Sequence, residues 1–391
     1  MKKLYAAFIA AALGAGMITA QDSDEPKFKI APTGRILLDG ALYASPQKEL
    51  FKDGVSIPDV RLGAKMSYGK WDAKVDVGFA YNKVGLKDVY IGYNFSDKAL
   101  VRIGSFIHQY GLQSATSSSM KVTMEEPVSN AVFNDDRQLG AMFVYYPEDF
   151  LATVSVHAEP SASKVILTPN QFNQEGYGVR SRLVYRPIHN DGKTVQVGIS
   201  GAFSTPQRDF RYDEDGEERD VHDSFQFKSN WPTRVSQVTA INALVDHSMN
   251  QWKFSPELLL SYDRVALESQ YYFNQVNRRG GLHNFRGQGA YVMLRGLILG
   301  DGYGYNFLDG GLATPKAKSL ECVLDYNYTS LSDRKAAIFG GRLNDFSVTF
   351  NYYINKYMIA RLHYSYTYVW DRAGVGPRTL NGFMARLQVI F

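Results

Sequence analysis

The sequence predicts an all-β protein: a transmembrane antiparallel β-barrel of about 16 strands. Three observations carry this. The last residues, Phe383 to Phe391, alternate apolar and polar to the terminus, with Phe383, Ala385, Leu387, Val389 and Phe391 on one face and Arg386 and Gln388 on the other. The same period-2 pattern recurs along the chain. Long and short connections separate the strands, as in barrels with short turns at one rim and longer loops at the other.

The terminal segment has the length of a tilted membrane strand, with lipid on one side and water on the other. Upstream, Leu62, Ala64, Met66 and Tyr68 alternate with Arg61, Gly63, Lys65 and Ser67, and Gly69-Lys70 closes a tight turn. Trp71, Ala73, Val75, Val77 and Phe79 follow, then Val89, Ile91, Tyr93 and Phe95. Val195 to Phe203 and Val265 to Phe273 repeat the pattern. Met358, Ala360, Leu362, Tyr364, Tyr366, Tyr368 and Trp370 form the longest file, opposite Arg361, His363, Ser365 and Thr367. Ser96 to Leu100 and Tyr145 to Phe150 read as short turns. Ile107 to Asp136, Glu159 to Gly176, Ser204 to Arg234 and Gly300 to Lys316 read as long external loops.

Residues 1–20 read as a signal peptide. Lys2 and Lys3 precede the apolar stretch Leu4 to Ile18, and a cleavage position follows Ala20. Residues 21–391 then form a single barrel domain. No later run is long enough for a spanning helix. The mean hydropathy is slightly negative, which suits a barrel because half of each strand faces water. The 26 Tyr and 23 Phe fit aromatic girdles at the membrane surfaces. Cys322 is alone, so no intrachain disulfide forms, and it falls on the apolar file of its strand. Without Lys2 and Lys3 the chain has 41 basic and 39 acidic residues. This balance excludes a polyanion binder, so no nucleic-acid partner is expected.

Several segments resemble the phosphate-selective porin O and P family. They are Val60 to Lys65 with Trp71 to Lys74, Leu86 to Tyr93, Val101 to Phe106, and Tyr110-Gly111-Leu112 followed by Met124-Glu125-Glu126-Pro127 and Asn134 to Gly140. Near the end, Gly340 to Phe346 and Asn351-Tyr352-Tyr353 continue the likeness. The resemblance implies a sixteen-stranded porin of a Gram-negative cell outer membrane. It would pass small hydrophilic solutes by passive diffusion, with a modest anion, phosphate-like preference, and would be a homotrimer. Outer-membrane lipid and the barrel-assembly machinery would be its other partners. The family's motif often has a basic residue near Glu126; the carboxylate here argues against strict phosphate selectivity.

Two groups of residues would carry function. The resemblance implies an inward-folded third extracellular loop, Ile107 to Asp136, that would narrow the lumen with Ser117, Ser118, Ser119, Lys121, Glu125 and Glu126, a mixed-charge set that screens solutes by charge and dipole. Alternation places Arg61, Lys65, Lys74, Arg102, Arg180, Arg182, Arg361 and Arg386 on the lumen face, where guanidinium groups attract oxyanions. The competing reading for most of these is pairing with lumen carboxylates that brace the wall. Phe391 resembles the C-terminal assembly signal of outer-membrane barrels.

The remaining motifs read as structural. Asp213 to Glu218 reads as a solvated acidic turn in preference to a weak calcium site, whose full loop spacing it lacks, and Asn277 to Gly281 as a basic turn that either touches lipid phosphate or is a plain turn. Gly300 to Gly304 lacks the Lys-Ser/Thr of a nucleotide loop. His363 and Ser365 share a face, with no third group to complete a catalytic set. No enzyme, cofactor or metal site is expected. The alternative function is a non-conducting structural or adhesive outer-membrane barrel, and a soluble secreted β-protein is the third reading.

Overall fold

The computed structural model describes residues 26–391 except 48, 82, 159–174, 191 and 213–217. Sixteen strands close into one antiparallel barrel. They are β1 (Lys29–Ala44), β2 (Gly54–Tyr68), β3 (Trp71–Ala80), β4 (Lys83–Ser96), β5 (Ala99–Phe106), β6 (Gln138–Tyr145), β7 (Phe150–Ala158) and β8 (Tyr177–Asn190). There follow β9 (Lys193–Ser204), β10 (Ser248–Tyr262), β11 (Val265–Arg278), β12 (Phe285–Leu299), β13 (Leu320–Asp333), β14 (Ile338–Asn355), β15 (Met358–Arg372) and β16 (Arg378–Ile390).

The terminal strand is the closing stave. β16 pairs with β1 from Arg35↔Ile390 to Ala44↔Asn381. The backbones of Gly34 and Phe391 exchange hydrogen bonds of 2.8 and 3.1 Å beyond that ladder. Gly34 has no Cβ, and one placed there would collide with the Phe391 ring. The missing side chain lets the terminal aromatic lie against the first strand.

Burial is inverted relative to a water-soluble fold. Leu362 is 63 % exposed and Phe383 56 %, whereas Arg361, His363, Ser365 and Thr367 are buried. Apolar side chains face lipid, and polar ones face a crowded interior where loops cover them. Closure removes every free edge, so each backbone group at membrane depth can find a partner in the wall. No helix among the described residues is long and apolar enough to cross a membrane.

The start of β1 and the end of β16 lie at one rim, with the short turns at 69–70, 97–98, 146–149, 263–264 and 356–357. The connection after β12, residues 300–319, lies at this rim too. Tyr303 bonds to Gly192 and Asp263, which sit in two of its turns. The sequence-based grouping of Gly300 to Lys316 with the external loops is therefore wrong. Counting staves gives the physical reason: the twelfth strand of a barrel that starts at the terminal rim must end there.

Three segments enter the barrel. Residues 107–137 carry two short helices, α1 (Leu112–Ala115) and α2 (Val128–Phe133). The hairpin Phe225–Asn230 with Thr239–Val245, between β9 and β10, is the second. Residues 300–319 enter from the terminal rim as the small hairpin Tyr305–Asn306 with Gly311–Leu312. Phe225, Phe227, Trp231, Ile241 and Val245 pack on Phe285, Leu331, Leu343, Val369 and Leu380 of the wall. This apolar core lies inside the barrel against the strand ends near the outer rim.

Candidate functional site

The loop 107–137 is stitched to wall residues on several staves. Asn327 Nδ2 donates to Ser129 Oγ at 2.6 Å, and Tyr272 OH to Asn130 Oδ1 at 2.9 Å. Asn351 Nδ2 donates to the Val122 carbonyl at 2.8 Å. Gln113 Nε2 reaches Glu268 Oε1 at 2.6 Å, and Gln388 Nε2 reaches the Ser119 carbonyl at 2.7 Å. Gly111 has φ 85° and abuts Gln270, leaving no room for a Cβ. Its left-handed conformation starts α1, which only glycine adopts without strain.

The inward basic residues mostly hold these insertions. Arg361 donates to the carbonyls of Thr123 (2.7 Å) and Lys121 (2.6 Å). Arg386 grips Asp39 at 2.7 Å, the Met124 carbonyl at 2.7 Å and Glu125 at 3.1 Å. Arg180 pairs with Asp135, which also meets Lys253 at 2.9 Å. Arg182 forms a bidentate pair with Glu257 at 2.7 and 3.0 Å and donates to the carbonyls of Asp309 and Gly310. Lys74 bridges Asp76 (2.5 Å) and Asp88 (2.8 Å). The Arg102 guanidinium lies 5.0 Å from the Tyr90 ring centroid. Lys65 is exposed toward the terminal rim, in register with Lys74.

One cavity, of about 650 Å³, lies to one side of the barrel interior and runs beside β1 to β4, bounded by the loop 107–137 and by Trp231 to Arg234. Its lining has eight cationic side chains against five carboxylates. Arg35 and Arg61, cross-strand partners in register, face it together. Arg35 pairs with Asp59, and Arg61 Nε lies 2.9 Å from the same carboxylate. Both guanidinium groups also donate to Ser118 Oγ, at 3.1 and 3.2 Å. Lys83 and Lys87 line the cavity with no carboxylate partner among the described residues. Arg137 binds Asp88 at 2.7 Å.

The loop residues complete this lining. Ser117 is exposed, and Ser119 Oγ accepts from Arg35 at 3.4 Å. The Lys121 ammonium donates to the Gln113 carbonyl and lies 3.7 Å from Glu126. Burial lowers its pKa, and Glu126 opposes that shift. Glu126 also accepts from Asn130 at 2.7 Å. Burial alone would raise the Glu125 carboxyl, but Arg234 (2.8 Å) and Arg386 hold it below the usual carboxylate range. The acidic run Asp213 to Glu217 lies outside the described residues, and Glu218 falls in the strand Glu218–His222.

Arg35, Asp59, Lys83, Lys87, Arg137 and Arg234 are among the charged lining residues that sequence reasoning missed. The consecutive apolar residues Ile36, Leu37 and Leu38 blur alternation beside Arg35. The stave partner Arg61 was the available signal, since it needs a neighbour on each side.

No curated sequence matches the chain significantly. Solved structures with a similar fold include in-vitro folded OmpT of Vibrio cholerae in a trimer form, at 9 % identity and TM-score 0.53, covering 93 % of this chain and 99 % of that one. The anion-selective porin from Comamonas acidovorans gives 9 % identity and TM-score 0.56, with coverage of 93 % and 100 %. Salmonella typhi OmpF in complex with daunomycin gives 12 % and 0.51, with coverage of 95 % and 100 %. The family described as phosphate-selective porin O and P matches residues 32–389; with its sixteen-stranded barrel and polar, loop-narrowed lumen, this chain belongs to that family and is an outer-membrane porin.

Proposed function

We propose that small hydrophilic anions cross this barrel along the β1–β4 wall, between the loop 107–137 and the segment Trp231 to Arg234. The observation that supports this route best is the Arg35–Arg61 pair. Like charges directly opposite on neighbouring strands are unfavourable, and here they have one shared carboxylate. An oxyanion is the missing complement, since two guanidinium forks offer bidentate donors to phosphate or carboxylate oxygens. The excess of cations in the lining raises the local anion concentration, and the serines exchange hydrogen bonds with the passing solute. Passage is passive and needs no cofactor.

In this reading Ser117 to Ser119, Lys121, Glu125 and Glu126 form the constriction. The trimer form of a similar porin supports a homotrimer here, and the signal peptide, barrel-assembly machinery and Phe391 signal complete the expected route to the membrane. The second reading is a closed structural barrel, favoured by the apolar core that the hairpin at 225–245 builds inside the lumen. Purified protein in a planar bilayer separates the two. Stepwise conductance supports the porin, and silence across salts and voltages supports the closed barrel.

A further inference from the structure

The ladder between β12 and β13 stops short of the outer rim. Its last pair there is Gln288↔Ser330, although β12 begins at Phe285 and β13 runs to Asp333. Residues 285–287 stay paired with β11, and Ser332 and Asp333 with β14. The seam therefore splays, and a cavity of about 700 Å³ occupies the wedge.

Cations rim this wedge on the lipid side. Arg286 and Arg342 point outward, since their strand neighbours Phe285 and Leu343 are fully buried inside. Arg334 and Lys335 are exposed on the adjoining turn. Asp333 is the one carboxylate lining the wedge among the described residues. It is engaged in capping, accepting from the backbone nitrogens of Arg286 at 2.9 Å and Lys335 at 3.0 Å. Arg342 has Asp371 at 3.2 Å. Arg286 donates through Nε to Gln275 at 3.0 Å, which leaves its terminal nitrogens available. Among the described residues no carboxylate pairs with Arg334 or Lys335. The nearby basic turn differs: Arg278 is held by Asp246 at 2.5 Å, and Arg279 lies 3.9 Å from Asp223.

The height of the wedge identifies what it faces. Tyr271, Tyr326 and Phe346 are exposed on the outer wall below it, with Phe273 and Tyr328 lining its lower part. Such a band marks the headgroup level of a bilayer. The cations stand just above that level, at the rim opposite the termini, where outer-leaflet headgroups lie.

We propose that this wedge binds a phosphate of a phosphorylated glycolipid in the outer leaflet. Arg286, Arg334 and Lys335 hold the phosphate oxygens, and the acyl chains lie down the aromatic wall. The site is separate from the lumen and independent of the solute route.

The test uses the full folded barrel, delipidated in detergent. It is titrated with bisphosphorylated lipid A, with dephosphorylated lipid A, or with inorganic phosphate, and bound lipid is counted by native mass spectrometry. Wild type should hold the bisphosphorylated lipid about ten-fold more tightly than the dephosphorylated one. R334A/K335A should lose that preference, and R286Q should reduce it, with heat-modifiable gel mobility showing both barrels intact. Equal retention of the two lipids, or an undiminished preference in both variants, would overturn the proposal. Displacement of the lipid by millimolar inorganic phosphate would overturn it in favour of a free-anion site.

Discussion

Arg35 on β1 and Arg61 on β2 stand opposite each other in the wall and converge on one carboxylate, Asp59, and one hydroxyl, Ser118. Arg361 and Arg386 are likewise register partners, but loop carbonyls, Asp39 and Glu125 engage them. The first pair lines the cavity and touches the loop only at serine hydroxyls, whereas the second grips loop carbonyls and Glu125. This difference separates a solute-facing pair from a bracing pair.

Asp59→Asn should destabilise the barrel while making the lumen more positive. Breaking a buried ion pair from one side typically costs about 3–5 kcal/mol, and here two guanidinium groups lose their partner. Denaturant titration in micelles checks the first effect. A change below about 1 kcal/mol, the scale of exposed pairs, would show that solvent already screens the trio.

Arg182→Met should loosen the hairpin at 305–312. Arg182 anchors two of its carbonyls and neutralises Glu257, and both side chains are fully buried. Single-channel conductance should rise as the hairpin leaves the lumen. Unchanged conductance would mean that the hairpin does not narrow the path.

Acid should weaken the root of the loop 107–137. His108 is buried against Phe106 and donates through Nε2 to the Gln138 carbonyl at 3.1 Å. Burial, and then the Arg180 guanidinium, push its pKa down from 6.5 to about 3. An unfolded loop binds a proton over that interval and the packed loop does not, so packing is favoured fully above pH 6.5 and progressively less down to about pH 3. Protease cleavage of the loop should speed up from pH 7 to pH 4 in wild type and change less in His108→Gln. Identical pH profiles would remove His108 from the account.

Gly34→Val should impair closure. A Cβ at residue 34 meets the Phe391 ring, and overpacking of this kind costs about 1–3 kcal/mol. The folded, heat-modifiable fraction in outer membranes should fall, as it should for Phe391→Ala. Normal yield of both would separate Phe391 from assembly.

The wall was legible in the sequence because lipid and lumen impose strict alternation. Met358 to Trp370 shows this, with Leu362 exposed and Arg361 buried one residue apart. The interior was less legible. The hairpin Phe225–Val245 alternates with the same period as a wall strand, and nothing local says that its apolar face meets Leu331 and Leu343 instead of lipid. The hairpin at 305–312 was assigned to the wrong rim because loop length was read without the parity of the strand count. Lumen basic residues such as Arg180 and Arg361 were legible by face, but their partners are loop groups distant in sequence.

The central claim is that anions pass beside Arg35 and Arg61. Reversal potential under a potassium chloride gradient, for wild type and for R35Q/R61Q, tests it most directly. Wild type should show a potential of the sign given by anion preference, and the double variant should move toward zero or into cation preference. An unchanged potential in a folded, conducting double variant would contradict the claim.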